Sequence, residues 1–265
     1  MNMKKMIVML LALVMALSLC TVCAEDMTDK QYVLNKGVLV VGITDFAPMD
    51  YRDENGEWIG FDADLARAFA AELGVDVEFV EIDWDNKILE LDAKTVDCIW
   101  NGMTLTDAVK AAMECANPYM NNAQVVVVPA EKAADYQTVD SLKDLVFAVE
   151  AGSAGEAEVL ALNLNATAVA TQADALLEVS AGTSDAAAID ALMAAAMIGE
   201  GTNYANLTYT VGLNSEEYGV GFRKGSDLAA ELNAFLVKAY EDGTIMQIAE
   251  TYKVQAAVIA QVAAE

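Results

Sequence analysis

The sequence predicts an α/β fold of two lobes, each a mostly parallel sheet flanked by helices. Apolar strands alternate with amphipathic helices along the chain, which is typical of parallel sheets covered on both faces. The two halves of the chain share one plan of strand, polar turn and helix start. Polar residues collect directly after the strands, at the sheet edge where α/β proteins bind ligands. We therefore expect a cleft between two similar lobes.

The first half of the chain contains three predicted strands, each followed by a helix. In the first of these helices, Leu65, Phe69 and Leu73 recur on one face, as the period of an α-helix requires. The last helix begins after Thr106, a good N-cap residue. The strands are predicted at 37–43, 75–82 and 96–100, and the helices at 62–73, 85–91 and 106–113.

The second half repeats the alternation, after a polar stretch at 130–138. A turn at 241–244 separates its last two predicted helices, and the alanine-rich segment 254–264 is expected to form a weakly amphipathic helical tail. The remaining strands are predicted at 122–129, 145–149, 184–189, 207–211 and 218–223, and the remaining helices at 152–162, 171–180, 190–198, 227–240 and 245–252.

Residues 1–24 are predicted to be a signal peptide rather than part of the fold. Two lysines precede the apolar run 6–19, and small residues before Glu25 suit a signal peptidase. The apolar run is short for a membrane span, and no later segment replaces it. We therefore expect an extracytoplasmic protein, periplasmic or at the cell surface, that begins at Glu25.

A lipoprotein signal is the alternative, with Cys20 or Cys23 carrying the lipid. The residue before an acylated cysteine should be small, whereas Leu19 and Val22 stand at those positions. An ordinary cleavable signal is therefore favoured, and lipid anchoring stays the second possibility.

The composition argues against several classes of function. The formal net charge of −26 disfavours binding to nucleic acid or to anionic membranes. Histidine is absent, which removes the commonest general base and metal ligand. Cys98 and Cys115 follow the signal, and two buried thiols are favoured over a disulfide, although export permits one. We expect no metal, no cofactor and no catalytic residue.

Seven segments of the sequence resemble the extracytoplasmic solute-binding proteins of polar amino-acid ABC importers, bacterial solute-binding protein family 3. They follow the order of that family over nearly the whole mature chain. The segments are GITDFAPMDYRDENGEWIGFDADLARAFAAELG, VDCIWNGMTLTD, ANPYMNN, FAVEAGSAGE, SDAAAID, YGVGFRKGSDLAAELNAF and EDGTIMQIAETY.

The resemblance implies a type II periplasmic-binding-protein fold, in which two hinge strands join the lobes. One lobe would comprise 25–119 together with 219–265, the latter including a C-terminal tail, and the other lobe 125–214. The hinges would be 120–124 and 215–218. The protein would bind an amino acid or related amine as a monomer, close over it and dock on an ABC transporter permease.

The resemblance also assigns candidate ligand contacts. Asp190 would pair with the ligand ammonium; an N-cap role is the alternative interpretation, and the two roles can coexist. The Gly102 carbonyl and the Thr104 hydroxyl would contact the ligand, and Phe46 and Trp84 would enclose its side chain. The other candidates in these strand-end turns are Asp45, Asn101 and Met103.

The chemistry of a free amino acid suggests a further contact. Both its ammonium and its carboxylate lose water on burial, so each needs a directed partner. The free N–H groups at the start of a helix suit the carboxylate. Gly152, Ser153 and Ala154 form such a start, for which a plain helix cap is the alternative interpretation.

Three positions depart from the family pattern. Val109 stands where relatives usually carry a carboxylate-binding arginine, Glu150 where some carry a basic or amide residue, and Ala154 where a hydroxyl residue is common. With Asp45 and Asp190, the pocket would then hold three carboxylates, and we hypothesise a net cationic ligand. The alternative is a neutral ligand held by backbone N–H groups or by Arg52, Arg67 or Lys110.

Two other functions compete with transport. Some relatives of this fold catalyse dehydration, and Glu150 or Asp190 with a raised pKa could serve as the general acid. No second catalytic partner is evident, so binding without catalysis is favoured. A ligand-sensing receptor is the other alternative, and no kinase segment is present in the chain.

Overall fold

The computed structural model describes residues 27–262. The predicted signal peptide and its two cysteines lie outside the described residues. The helices are α1 Asp29–Lys36, α2 Phe61–Leu73, α3 Lys87–Asp92, α4 Asp107–Ala112, α5 Ala154–Ala161, α6 Gln172–Ala181, α7 Ala191–Met197, α8 Leu228–Glu241 and α9 Thr244–Thr251. The strands are β1 Val38–Ile43, β2 Tyr51–Arg52, β3 Trp58–Ile59, β4 Asp76–Glu81, β5 Cys98–Ile99, β6 Glu114–Cys115, β7 Met120–Asn122, β8 Gln124–Pro129, β9 Val146–Glu150, β10 Asn165–Val169, β11 Ala186–Asp190, β12 Leu207–Gly212, β13 Glu216–Tyr218 and β14 Gly221–Phe222.

The strands form two five-stranded sheets of matching design, and these define two lobes. Lobe 1 has the strand order β4-β1-β5-β14-β6, and lobe 2 has the order β10-β9-β11-β8-β12. In lobe 1 the antiparallel pairings are those of β14, and in lobe 2 they are those of β8; the other pairings are parallel. The predicted α/β class with two mostly parallel sheets is confirmed.

The reversed strand of each sheet enters from the other lobe. β7 leads from lobe 1 into β8, and β13 leads from lobe 2 into β14. Between the lobes, β7 and β13 pair antiparallel, with Met120 opposite Tyr218 and Asn122 opposite Glu216. The chain therefore crosses between the lobes on a two-stranded ribbon.

Helix packing in lobe 1 follows the apolar period of the sequence. Leu65 and Phe69 of α2 are buried. The ring of Phe69 lies 6.2 Å from that of Trp100 and 5.5 Å from that of Phe235 in α8. Aromatic pairs at such distances add to the free energy of burial. Helices α2 and α8, which are far apart in the sequence, are thus joined in one core.

A buried ionic cluster attaches α1 to this lobe. Asp97, fully buried, accepts a hydrogen bond from the Val40 amide at 2.8 Å. Its carboxylate also lies 2.5 Å from Lys36 Nζ and 3.4 Å from Arg223 Nη2. Arg223 in turn contacts Asp29 at 3.0 Å. Removing one of these partners would leave a buried charge without compensation and would destabilise the fold.

The structure differs from the predicted elements at several places. The predicted strands 122–129 and 218–223 are each interrupted, because the first part of each belongs to the crossing ribbon. The predicted helical tail is wrong. After a 3-10 turn at Gln255–Ala257, the chain is extended, and Val258 bridges Met120 of β7. Helix α1, strand β10 and the β2–β3 hairpin were not predicted.

Both cysteines that the structure describes are free thiols. Cys98 in β5 and Cys115 in β6 lie on opposite sides of β14. Two strand spacings separate them by roughly 9–10 Å, which exceeds the reach of a disulfide. Cys98 is buried, whereas Cys115 is half-buried. Separately, no helix within residues 27–262 is long and apolar enough to cross a bilayer.

Candidate functional site

A cavity of about 390 Å³ lies between the two lobes. Its walls come from the polar turns after β1, β4 and β5 in lobe 1 and after β9 and β11 in lobe 2. The lining residues are Phe46, Trp84, Lys87, Ile88, Asn101, Gly102, Met103, Thr104, Thr106, Ala108, Val109, Glu150, Gly152, Ser153, Ala154, Glu156, Ala157, Leu160, Gln172 and Asp190.

The structure brings every predicted site residue to this cavity except Asp45. Thr44, the residue before it, is held inward because its amide and hydroxyl donate to Asn101 Oδ1 at 3.0 and 2.7 Å. Asp45 is exposed. The expectation that it lines the pocket is therefore wrong, because Thr44 takes the inward position after β1.

The turn after β5 is shaped by buried hydrogen bonds. Asn101 donates to Asp50 Oδ2 at 2.8 Å, and the Gly102 amide donates to Asp62 Oδ2 at 2.6 Å. Gly102 has φ +53°, and a Cβ there would lie 2.4 Å from a ring carbon of Phe46. Glycine is therefore required at this position by both conformation and space.

Asp190 does not cap α7, since its side chain accepts no amide of that helix. Its Oδ1 instead accepts from Asn122 at 2.5 Å, Gln124 at 3.0 Å and Tyr218 at 2.6 Å, and its Oδ2 accepts from Gln172 at 2.5 Å. This leaves one lone pair of Oδ2 for a ligand. Asp190 thus occupies the N-cap position of α7, as the alternative interpretation expected, but its side chain does not cap the helix.

A second carboxylate shares these amide donors. Glu216 Oε1 accepts from Asn122 at 2.6 Å, from Gln124 at 2.8 Å and from Thr104 at 3.0 Å. The network joins lobe 1, the crossing ribbon and lobe 2. Burial, together with the Glu216 carboxylate, raises the pKa of Asp190 to about 7.

Glu150 is the least satisfied polar group of the cavity wall. It is 3% exposed, and its Oε1 has no hydrogen-bond partner. Burial first, and then the charge of Asp190, raise the pKa of Glu150 to about 8, while Lys87 acts in the opposite direction. A buried carboxyl oxygen without a partner is costly, so this atom favours a ligand that donates to it.

Lys87 was missed in the sequence analysis and is the cationic side chain that lines the cavity. It is 8% exposed, and its Nζ donates to Trp84 O at 3.1 Å and to Gly152 O at 2.9 Å. The first acceptor lies in lobe 1 and the second in lobe 2. The three-residue spacing from Trp84 places both on one helical turn, but this spacing alone does not mark Lys87 as buried.

The three basic residues considered in the sequence analysis lie elsewhere. Arg52 stacks on Trp58 with its guanidinium 4.1 Å from the ring centroid, Arg67 donates to Asp64 at 2.9 Å, and Lys110 is exposed. Val109 lines the cavity with its apolar side chain.

The start of α5 is capped as the sequence suggested. Ser153 Oγ accepts from the Glu156 amide at 3.0 Å, and Glu156 Oε2 accepts from the Gly152 amide at 2.8 Å. The amides of Ala154 and Gly155 precede the first intrahelical hydrogen bond, and of these two residues Ala154 lines the cavity. Separately, no group of three potential metal ligands is clustered within the described residues.

Gln172 was also missed. It follows β10, the strand that the sequence analysis did not predict, and opens α6. Its side chain both donates to the Asp190 carboxylate and accepts from the Asp190 amide at 2.9 Å. Gln172 therefore orients Asp190 from within lobe 2.

Comparisons with known proteins agree with this geometry. A sequence model of the bacterial extracellular solute-binding proteins, family 3, matches residues 39–255. The L-cystine-binding protein TcyJ of Escherichia coli K12 is 28% identical over 92% of each chain. A probable histidine-binding protein of Neisseria gonorrhoeae is 30% identical over 95% of this chain and 96% of its own.

A solved structure shows the same architecture. Holo ArgBP from T. maritima superposes with a TM-score of 0.75 and is 31% identical, covering 83% of this chain and 98% of its own. An arginine-bound structure of a variant of that protein is also similar. An enzyme matches over a shorter stretch. Cyclohexadienyl dehydratase of Pseudomonas aeruginosa is 27% identical over 42% of this chain.

Proposed function

This chain belongs to the bacterial extracellular solute-binding proteins, family 3, and from that premise we propose that it binds a free amino acid between its lobes. The bound form then delivers the amino acid to the permease of an ABC importer. Relatives named for binding cystine, histidine and arginine support an amino acid as the ligand.

One observation carries this proposal. The unpartnered Glu150 oxygen and the Asp190 carboxylate face a cavity whose walls come from both lobes. An ammonium group satisfies both carboxylates, since it offers several charge-assisted donors. Phe46 and Trp84 supply apolar surface for the rest of the ligand. A volume of about 390 Å³ is within the usual range for small-molecule sites.

The ligand we propose is net cationic. Three carboxylates, those of Glu150, Glu156 and Asp190, line the cavity together with the single ammonium of Lys87. An additional positive charge on the ligand therefore reduces the electrostatic cost of burying these groups. Arginine, lysine, ornithine and protonated histidine have this character.

Binding is proposed to stabilise a closed arrangement of the lobes. A ligand that contacts Glu150 in lobe 2 and Trp84 in lobe 1 interacts fully only when the lobes are together, and this difference in affinity drives closure. The crossing ribbon of β7 and β13 is the proposed hinge. The lobe boundaries near 119 and 125, and near 214 and 219, belong to the same proposal.

Export and assembly are also part of the proposal. A cleaved signal at 1–24 would place the protein outside the cytoplasm, where family 3 proteins act, as a monomer that meets its permease. Lipid attachment at Cys20 or Cys23 is the alternative. Mass spectrometry of the mature protein distinguishes an N-terminal Glu25 from a lipid-modified cysteine.

Calorimetry tests the proposed ligand directly. Arginine, lysine, ornithine, histidine, cystine, glutamine and glutamate are titrated into purified protein, with X-ray scattering before and after. We expect the tightest binding from a cationic amino acid and a smaller radius of gyration when it is bound. Tighter binding of glutamate than of every cation refutes the cationic ligand, and absence of binding by all seven refutes the proposed function.

A dehydratase activity is the second candidate, because the pKa of about 8 for Glu150 keeps a general acid protonated at neutral pH. The match to cyclohexadienyl dehydratase covers less than half of either chain. Incubation with a cyclohexadienyl acid, followed by absorbance of an aromatic product, distinguishes turnover from stoichiometric binding.

A further inference from the structure

The cavity has carboxylates that suit the ammonium group of an amino-acid ligand, but no arginine lines it to bind the ligand's carboxylate. Val109 contributes an apolar side chain to the wall, and Arg52, Arg67 and Lys110 do not line the cavity. A carboxylate buried without a charged or N–H partner loses more on desolvation than it gains. Some other group must hold the ligand carboxylate.

Lys87 has the position and the donors for this task. Two of the three N–H bonds of its ammonium are directed at Trp84 O and Gly152 O, at 3.1 and 2.9 Å. A lysine ammonium has three donors, so one remains. Its Nζ also lies 4.8 Å from the centroid of the Trp84 ring, which is one of the aromatic walls of the cavity.

The neighbours of Lys87 complete a site for an anion. Lys87 donates to the carbonyl of Gly152, the residue two before the start of α5. The amide of Ala154, a residue that lines the cavity, follows two positions later at the positive end of the helix dipole. Glu156, the nearest carboxylate on α5, is already engaged with the Gly152 amide.

We propose that Lys87 binds the carboxylate of the ligand, in the role that Val109 cannot fill, together with the first amides of α5. This inference rests on the proposed amino-acid function. The carboxylate end of the ligand then lies between Lys87 and α5, and the ammonium end lies at Glu150 and Asp190. One basic and two acidic side chains thus fix the direction of the ligand in the cavity.

The electrostatic surroundings keep Lys87 suited to this role. Burial lowers the pKa of Lys87, and Glu150, Asp85 and Glu156 act in the opposite direction. The simpler function of these contacts is to brace the two lobes and to balance Glu150. A purely structural lysine would affect all ligands equally, whereas a carboxylate-binding lysine affects only those that carry a carboxylate.

Matched ligand pairs separate these two roles. Calorimetry compares arginine with agmatine, histidine with histamine, and cystine with cystamine, in wild type, Lys87→Met and Lys87→Arg. Each second compound lacks the carboxylates of the first. Lys110→Met, a change of an exposed lysine outside the cavity, serves as the control.

We expect wild type to prefer the carboxylate-bearing member of the pair that it binds. In Lys87→Met this preference should fall by about ten- to a hundredfold, the range for a lost charge-assisted contact. Lys87→Arg should retain a larger preference than Lys87→Met, and Lys110→Met should match wild type. If Lys87→Met does not fold, Lys87→Gln replaces it with the same criterion.

An unchanged preference in a folded Lys87 variant overturns the role of Lys87 while leaving the amino-acid function intact. Binding of none of the amino acids to wild type removes the proposed function and this inference with it. The two failures are therefore distinguishable in one experiment.

Discussion

Glu150→Gln removes a buried charge from the cavity wall while keeping its shape. In the folded protein the pKa of Glu150 is about 8, against 4.5 for an ordinary glutamate. Between these values the folded state holds a proton that the unfolded state has released. The contribution of Glu150 to stability is therefore favourable at low pH and is lost as the pH rises from about 4.5 to about 8.

The size of the effect follows from the same two values. One pKa unit corresponds to about 1.36 kcal/mol, so the difference bounds the loss at roughly 5 kcal/mol for the ligand-free protein. Relaxation and water entry around an ionised buried carboxyl reduce this penalty, so we expect about 2–3 kcal/mol in practice. Glu150→Gln should therefore be more stable than wild type at pH 8 and equal to it at pH 4.5.

Urea denaturation from pH 4.5 to pH 9 measures this difference. Glu131→Gln, a change of an exposed glutamate, is the control and should follow wild type throughout. A Glu150→Gln curve that runs parallel to wild type at every pH refutes the argument, because the carboxyl would then titrate alike in folded and unfolded chains.

The same substitution has the opposite effect on a bound cation. A cationic amino acid favours the ionised form of Glu150, so its affinity for wild type should rise with pH and its binding should release protons. Calorimetry in buffers of different ionisation enthalpy detects that release. Glu150→Gln should release fewer protons, because only Asp190 then remains to ionise, and should bind arginine about ten- to a hundredfold more weakly. Equal proton release from both proteins contradicts this assignment.

Three further expectations concern the scaffold around the cavity. Asp97→Asn removes the carboxylate that Lys36 and Arg223 share, leaving Arg223 with Asp29 alone. It should lower the free energy of unfolding by about 3 kcal/mol in urea titrations, and an unchanged midpoint contradicts this expectation. Gly102→Ala places a Cβ 2.4 Å from the ring of Phe46. It should therefore weaken ligand binding at least tenfold in calorimetry. Full affinity in this variant argues against contact between Phe46 and the ligand. Burial raises the pKa of the Cys98 thiol well above its usual value, and it raises the pKa of Cys115 less strongly. A thiol reagent should therefore label Cys115 first and Cys98 only on unfolding. Equal labelling of both cysteines in the native protein contradicts this expectation.

Much of the fold was predictable because apolar periodicity and capping residues determine where its helices and strands lie. Thr106 caps α4 and Ser153 caps α5, and both were expected from the sequence. Helix α1 was missed because only Val33 of its eight residues is buried, so no apolar stripe marks it. Strand β10 was missed because it is an edge strand of small and polar residues.

The boundary between the crossing ribbon and the sheet of lobe 2 was missed for a different reason. The run 122–129 contains no glycine, and no proline before Pro129, to mark a break. Its first residue nevertheless pairs with β13, whereas Gln124–Pro129 pairs with β11 and β12. Composition does not reveal a change of pairing partner along one extended segment. Only the three-dimensional arrangement separates the ribbon from the sheet.

Within the candidate site, strand-end turns were easier to identify than helix residues. Asp45 was the candidate after β1, but its neighbour Thr44 is the residue that hydrogen-bonds to Asn101. Lys87 carries no motif and resembles a solvated surface lysine in sequence. Its burial depends on the approach of Gly152 from the other lobe, which no local pattern records.

The extended segment after α9 lies alongside the crossing ribbon. Val258 bridges Met120, the Ile259 amide donates to Tyr119 O at 2.9 Å, and Gln261 donates to Pro118 O at 2.9 Å. All of these partners lie in lobe 1 or at the lobe 1 end of the ribbon. The segment therefore fastens that end of β7 to lobe 1, and under the proposed closure a fluorophore placed on it would move with lobe 1.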